Sequence, residues 1–394
     1  MISIIIPHKN RHSLLYMVLE KLNEQTIFDF ETIVVDDGSD IFVKDWIDVL
    51  FPEFEPKYEL TFVRNPGKGP NAARNHGVSL AKYDNIVISG SDTIPSRSFI
   101  MQHILELKRD GDKIIQGYTP FHPQVMDTEF MVWLNNSGIQ ANWAALQTEG
   151  GWRRDADGFC LTTNLSMTKR VFENIGGLSE DFPGAAWDDI EFGIRARKLG
   201  VQTIFSPRAI NFHYHKYNIS QFANRQVMEG KNRIYLCYAH PEMAMQLMDI
   251  NAIKTAEEQS LDEWLHQAVE LSYINGCHEE KDRVWRGVLQ LASFKGVVES
   301  LEPHPVLRLI KLLTNQESVV YLFALLKAHK DGNTGYVDHC LGWLSEKEPV
   351  WVSELIAGEI ALMNKNNTDA IIHFNNSLTN KYNVYAEKRL KGNK

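Results

Sequence analysis

The chain has 394 residues, 44% hydrophobic and 23% charged, with 41 Lys and Arg against 50 Asp and Glu, a formal net charge of −9. This is ordinary globular material for two domains, and the acidic balance excludes a protein whose main task is gripping a nucleic acid backbone. Cys160, Cys237, Cys277 and Cys340 lie far apart without Cys-x-x-Cys spacing, which excludes a zinc knuckle or a disulfide scaffold and implies reduced thiols.

The chain opens on Ile-Ser-Ile-Ile-Ile-Pro, with no basic leader and no apolar run of membrane-spanning length. A soluble, cytoplasmic protein without a transmembrane segment is therefore expected. Ile2 to Ile6 reads as a strand buried on both faces of a parallel sheet. Leu14, Leu15, Val18, Leu19 and Leu22 follow at helical spacing. A second strand, Glu31 to Val35, runs into the turn-forming Asp36-Asp37-Gly38-Ser39-Asp40, at the strand end where open α/β sheets bind ligands. Leu60 to Arg64, a Gly-rich loop to Asn71, a helix from Ala72 to Ala81 and a strand from Asn85 to Ser89 complete a βαβα order, which predicts a doubly wound, mostly parallel sheet. Tyr118 to Pro123 reads as a loop, Phe130 to Leu146 as helical, and Trp152 to Asp155 as a segment beside a cleft.

The densest chemistry comes next. Gly176-Gly177 and Phe182-Pro183-Gly184-Ala185-Ala186 form a small-residue lead into Trp187-Asp188-Asp189-Ile190-Glu191. Three carboxylates in four positions suit a helix N-terminus, and Arg195, Arg197 and Lys198 suit its other end, with Gly200 as the cap. Val201 to His215 reads as strand, Ser-Pro-Arg turn and strand, with His213 and His215 on one face. A carboxylate pair and a histidine pair thus bracket one short helix.

The pattern Trp-acid-Asp-Ile-acid-x-Gly-x-Arg-x-Arg-x-x-Gly followed by a strand ending in His resembles the acceptor half of family 2 glycosyltransferases with the GT-A fold, a Rossmann-like arrangement. The first half agrees: Ile4-Ile5-Ile6-Pro7-His8-Lys9-Asn10-Arg11, Val34-Val35-Asp36-Asp37-Gly38-Ser39 and Gly69 to Gly77 with Ala73-Arg74-Asn75 are similar to that family's motifs. The resemblance implies that Pro7 and Lys9 border a nucleoside, that Asp37 binds the base of a sugar nucleotide, a UDP-sugar before others, and that Arg74 steadies base or diphosphate. It departs at Ser89-Gly90-Ser91-Asp92, where Gly90 replaces the first Asp of Asp-x-Asp. Ser91 and Asp92 would still meet the donor. A Mn2+ or Mg2+ ion, which neutralises charge on a leaving diphosphate, would be held by Asp92 with His213 and His215.

The resemblance also implies a single inverting displacement with Asp189 as general base, Asp188 orienting the acceptor and Trp187 as a floor for a sugar ring. Other classes stay open on residues alone. A catalytically inactive sugar-nucleotide or glycan binding module is motivated by Gly90. A nucleotidylyltransferase lacks its Gly-rich, Lys-containing loop after Ile6, and neither Gly-x-Gly-x-x-Gly nor a P-loop is present.

Beyond about residue 230 no strand run appears. Apolar residues recur at helical spacing through Ile253 to Tyr273, Val284 to Phe294, Val306 to Leu313, Val319 to Leu326 and Val337 to Leu344. Glu354 to Leu378 resembles one tetratricopeptide-type helix pair. The expected division is a catalytic domain at 1–230 and an all-α helical-hairpin domain at 231–394, which would bind a peptide, protein or glycan acceptor or form a homodimer.

Overall fold

The computed structural model describes residues 1–109, 111–149, 151–156, 160–274, 276–380 and 383–392. It divides into two compact units, Met1–Ile219 and Ser220–Lys394.

The first unit alternates strand and helix: β1 (Ile2–His8), α1 (His12–Leu22), β2 (Phe30–Asp37), α2 (Val43–Leu50), β3 (Glu59–Asn65), α3 (Pro70–Leu80), β4 (Asn85–Ser89), β5 (Thr93–Pro95), α4 (Phe99–Leu107) and β6 (Lys113–Tyr118). There follow α5 (Glu129–Ser137), a short hairpin of β7 (Gln147–Thr148) and β8 (Gly151–Trp152), β9 (Asn164–Thr168), α6 (Lys169–Ile175), α7 (Asp188–Lys198) and β10 (Gln202–His213). Eight strands form one sheet in the order β3-β2-β1-β4-β9-β6-β10-β5. β1, β2, β3 and β4 run parallel, as do β6 and β10, whereas β9 runs against β4 and β6, and β5 against β10. The doubly wound, mostly parallel sheet is the expected one.

Strand alternation sorts β1 into two cores. Ile2, Ile4 and Ile6 pack with Leu15, Val18 and Val43 on one face, while Ile5 packs with Ile33, Ala73 and Val78 on the other. On that second face α3 sits close to the sheet: a Cβ at Gly77 would fall 2.5 Å from Ile5 Cγ2 and 3.1 Å from Val35 Cγ2. Gly77 thereby sets the height of α3, which carries Asn71, Arg74 and Asn75.

Two expected elements of this unit differ. The Phe130–Leu146 helix stops at Ser137, because Gly138 takes a left-handed C-cap conformation (φ 77°), and resumes only as a 3-10 turn at Trp143–Leu146. Trp143 there packs against Phe205, 5.6 Å between centroids, so this aromatic run is core, and Trp152 joins it. β10 is one continuous strand through Ser206-Pro207-Arg208, where a register shift absorbs the extra residues in place of a turn.

The second unit comprises α8 (Ile219–Ala239), α9 (Ala244–Leu247), α10 (Ile250–Glu258), α11 (Leu261–Ser272), α12 (His278–Leu301), α13 (Ser318–Lys330), α14 (Thr334–Lys347), α15 (Val350–Met363), α16 (Asn367–Asn380) and α17 (Val384–Gly392). The helical character matches the reading, although within the stretch from Val306 to Leu313 residues Leu307–Leu312 form a 3-10 helix. α8 crosses α12 at two glycines: a Cβ at Gly230 would meet Ser293 O at 1.8 Å, and one at Gly296 would meet Val227 O at 1.9 Å. α15 and α16 form a tight hairpin, with Gly358 against the Phe374 ring. Buried Glu359 then pins α17, accepting from Arg389 Nε at 2.6 Å and Tyr385 Oη at 2.6 Å. Among the described residues no helix is long and apolar enough to cross a membrane.

Two predictions follow from this packing. Gly77→Ala overpacks the α3–sheet contact and is expected to cost about 1–3 kcal/mol, exceeding the helix-propensity gain of up to about 1 kcal/mol; urea unfolding measures it. Buried His8 and His103 are each lowered from 6.5 to about 4, chiefly by burial. The unfolded chain takes up these protons near pH 6.5 and the folded one only near 4, so stability falls as pH drops through that window. The expected slope is up to about 1.4 kcal/mol per pH unit per histidine, and His8→Leu should remove the His8 share in a series of melts.

Candidate active site

Carboxyl ends of β1 to β4 deliver the first group of residues to one edge of the sheet. The two aspartates ending β2 divide their work. Asp36 faces inward and accepts from Ser39 N at 2.7 Å and Val43 N at 2.9 Å, which shapes the loop and starts α2. Asp37, 5% exposed, accepts from Gly69 N at 2.9 Å. Its remaining carboxylate lone pairs are available to a ligand N–H. Gly38 (φ 76°) lets this turn pass close to Gly67, as a Cβ there would lie 3.1 Å from Gly67 Cα. Beside it, Asn10 N donates to Ser39 Oγ at 2.9 Å and Asn10 Oδ1 accepts from Asp40 N at 2.9 Å, so the Pro7–Arg11 loop is tied to the Asp37 loop. Pro7 is half-buried and Lys9 exposed there.

The acidic helix arrives from the other side. Ala186 and Trp187 both take positive φ, 128° and 66°, a strained entry into α7 that half-exposes the Trp187 ring. Asp188 is 3% exposed; its Oδ1 accepts from Ala186 N at 3.0 Å, and its Oδ2 lies 3.4 Å from Arg74 Nη1. Asp189 is only half-buried. Arg74 itself is buried and also donates to Asn71 Oδ1 at 2.7 Å. Burial lowers its pKa, and the carboxylates of Asp188, Asp189 and Asp92 pull it back up.

Asp92 and the histidines form the third group. β5 pairs with the end of β10, Thr93 opposite His213, and Tyr214 N donates to Asp92 O at 2.8 Å. That pairing brings His213 Nε2 to 3.7 Å and His215 Nδ1 to 3.8 Å from Asp92 Oδ2, with the two rings stacked. Arg11 Nη1 ion-pairs with the same oxygen. Burial raises the Asp92 pKa, but His213, His215 and Arg11 outweigh it and hold the carboxyl well below the usual range. Ser91 is half-buried beside it. Gly90 is fitted to this corner, since a Cβ there would lie 3.0 Å from Asp92 Oδ1.

The sequence matches the family model "Glycosyl transferase family 2" over residues 3–176. Residues 3–176 are thus similar to a glycosyl transferase family 2 domain. It is 28% identical over 230 residues to a hyaluronan synthase of Pasteurella multocida, covering 50% of this chain and 23% of the synthase. It is 34% identical over 227 residues to a chondroitin synthase of Escherichia coli, covering 50% and 32%. The chain thus spans a third or less of these relatives' length. A mannosyltransferase from Pyrobaculum calidifontis, solved in complex with GDP-Man and Mn2+, shares the GT-A fold with a TM-score of 0.54 at 16% identity, covering 77% of this chain and 87% of the mannosyltransferase.

The residues singled out from sequence fall into three groups in the first unit, those from Trp187 to His215 lying beyond the stretch that matches the family model. Arg74 turns toward Asp188, where the resemblance implied a base or diphosphate contact. Sequence reasoning gave no role to several others. Asn75 Nδ2 donates to Leu178 O at 2.9 Å and its Oδ1 accepts from Leu178 N at 3.0 Å, while Asn71 Nδ2 donates to Ser179 O at 2.8 Å. Arg195 pairs with Glu191 and donates to Gly177 O at 2.7 Å. These contacts fix the loop before α7; the Ala-Arg-Asn signature held the signal, but not the partner.

Among the described residues no three His, Cys, Asp or Glu side chains make a preformed metal site. Asp92 with either imidazole fits a partial donor set of oxygen and nitrogen ligands, completed by diphosphate oxygens and water. His213 Nδ1 is buried without a hydrogen-bond partner, and its ring packs between Phe121 and His215.

Arg74→Ala leaves Asp188 buried without its cation. The expected loss is about 3 kcal/mol, partly recovered by adding Asp188→Asn, as a double-mutant cycle in urea would measure.

Proposed function

We propose that this protein moves a sugar from a nucleoside diphosphate sugar to a glycan acceptor in a single inverting displacement. The observation that carries this reading is the split of Asp188 and Asp189 at the mouth of α7. Asp188 is buried and held by Ala186 N and Arg74, whereas Asp189 is half-exposed, its Oδ1 accepting from Ile190 N at 2.8 Å. One acid is thus held for orientation, and its neighbour reaches the surface, where it can take a proton from an acceptor hydroxyl.

Pro7, Lys9, Asp37, Ser91 and Asp92 line the donor side, with Arg74 beneath, and Trp187 offers a ring face to the acceptor sugar. Asp92 with His213, and His215 behind it, would hold Mn2+ or Mg2+, whose chemistry when bound is to offset charge on the departing diphosphate. The donor class and the ion are supported by the mannosyltransferase solved with GDP-Man and Mn2+. The glycan acceptor is supported by the two polysaccharide synthases among the relatives.

A peptide acceptor is the second reading. It is favoured by a groove of about 390 Å3 on the helical unit, lined by Leu341, Ala357, Ile360, Asp338, Glu354 and Asp369, on a tetratricopeptide-like α15–α16 hairpin. The helical unit would then bind acceptor, or serve as a homodimer contact.

A panel of UDP- and GDP-sugars with Mn2+, offered glycosaminoglycan oligosaccharides or peptides, tests the proposal. Nucleoside diphosphate release with transfer to the oligosaccharides is expected; neither release nor transfer would favour an inactive binding module. Asp189→Asn should keep UDP or GDP binding and lose roughly a hundredfold or more of turnover. Normal transfer by the folded variant would remove Asp189 from the role of base.

A further inference from the structure

The Asp92 corner holds more positive charge than its role as a cation ligand requires. Arg11 is already ion-paired to Asp92 Oδ2, the oxygen that also faces His213 and His215. The other oxygen, Oδ1, is turned toward Gly90, whose missing side chain leaves the corner with one carboxylate. Resting on the donor site proposed above, we propose that Arg11 is an exchangeable counter-ion: it neutralises Asp92 in the ligand-free protein and gives the carboxylate up when donor and divalent cation arrive together.

The two partners differ in freedom. Asp92 is held in place, its side chain 14% exposed and its carbonyl accepting from Tyr214 N. Arg11 is 45% exposed at its side chain and sits at the N-cap of α1 with no side-chain cap bond. A long, half-exposed guanidinium can swing at little cost, while the carboxylate cannot follow it. Its loop is also the one that Asn10 ties to Ser39 and Asp40, so Arg11 stands between the Asp37 and Asp92 sides of the donor cleft.

Charge decides the order of events. With Arg11 ion-paired to a single Asp92 in the corner, a dication entering alone meets repulsion from Arg11 and competes with it for one oxygen. A nucleoside diphosphate supplies the missing negative charge and a fork of phosphate oxygens suited to a guanidinium. Arg11 then leaves Asp92 for the diphosphate, and Asp92 becomes available as a ligand. Arg11 is a positioning residue in this scheme, and its signature is coupling: nucleotide should tighten Mn2+ binding, and the same factor must appear in reverse.

Mn2+ binding to the full chain, followed by electron paramagnetic resonance or calorimetry with and without saturating UDP or GDP, tests this. Arg11→Gln is expected to tighten Mn2+ without nucleotide by about five- to tenfold, and to shrink the factor by which nucleotide tightens it. Arg11→Lys should keep most of the wild-type coupling, and Asp92→Asn should abolish Mn2+ binding in either background. Mn2+ affinity unchanged or weakened in folded Arg11→Gln, with nucleotide binding intact, would overturn the exchange and leave the donor site standing. Absence of both Mn2+ and nucleotide binding in wild type would overturn the donor site and the exchange together.

Discussion

A buried guanidinium is the constraint on which the site depends. Arg74 reaches from α3 to Asp188 at the start of α7, and the desolvation of its charge is offset first by that carboxylate. Two segments distant in sequence are thereby held at one place.

That centre works because its supports are rigid. Gly77 lets α3 lie against Ile5 and Val35, and Asn71 and Asn75 on the same helix fasten the loop that feeds α7. On the far side Arg195 ties α7 to the Gly176-Gly177 turn. Asp188 is consequently buried and Asp189 half-exposed, a distinction between adjacent identical residues set by what packs on each side of the helix start. The strained Ala186–Trp187 entry is where this rigidity is spent.

The helical unit follows a different rule. Its helices are set by small residues at crossings, Gly230 and Gly296 between α8 and α12 and Gly358 under Phe374, and by a single buried acid, Glu359, that draws Arg389 and Tyr385 onto α15. Close backbone approach gains dispersion contacts that larger side chains would forbid.

Much of the fold was legible because its signals are local. A β-branched run ended by Pro7, turn residues after β2, and acids then bases along α7 each act on their own few residues, so period and capping chemistry suffice to read them. β6 and β9 gave no such signal; β9 is a strand because β4 and β6 flank it, and its direction is decided by those neighbours. The break at Gly138 and the unbroken passage of β10 through Pro207 likewise depend on what packs alongside. By itself, the sequence singled out the candidates for chemistry: Asp37, Asp92, the Asp188–Asp189 pair and the two histidines. Only the tertiary structure decided their partners, turning Arg74 to Asp188, Arg11 to Asp92 and Asn75 to the loop before α7, because long-range pairing of charges depends on distances that the chain acquires only when the sheet closes.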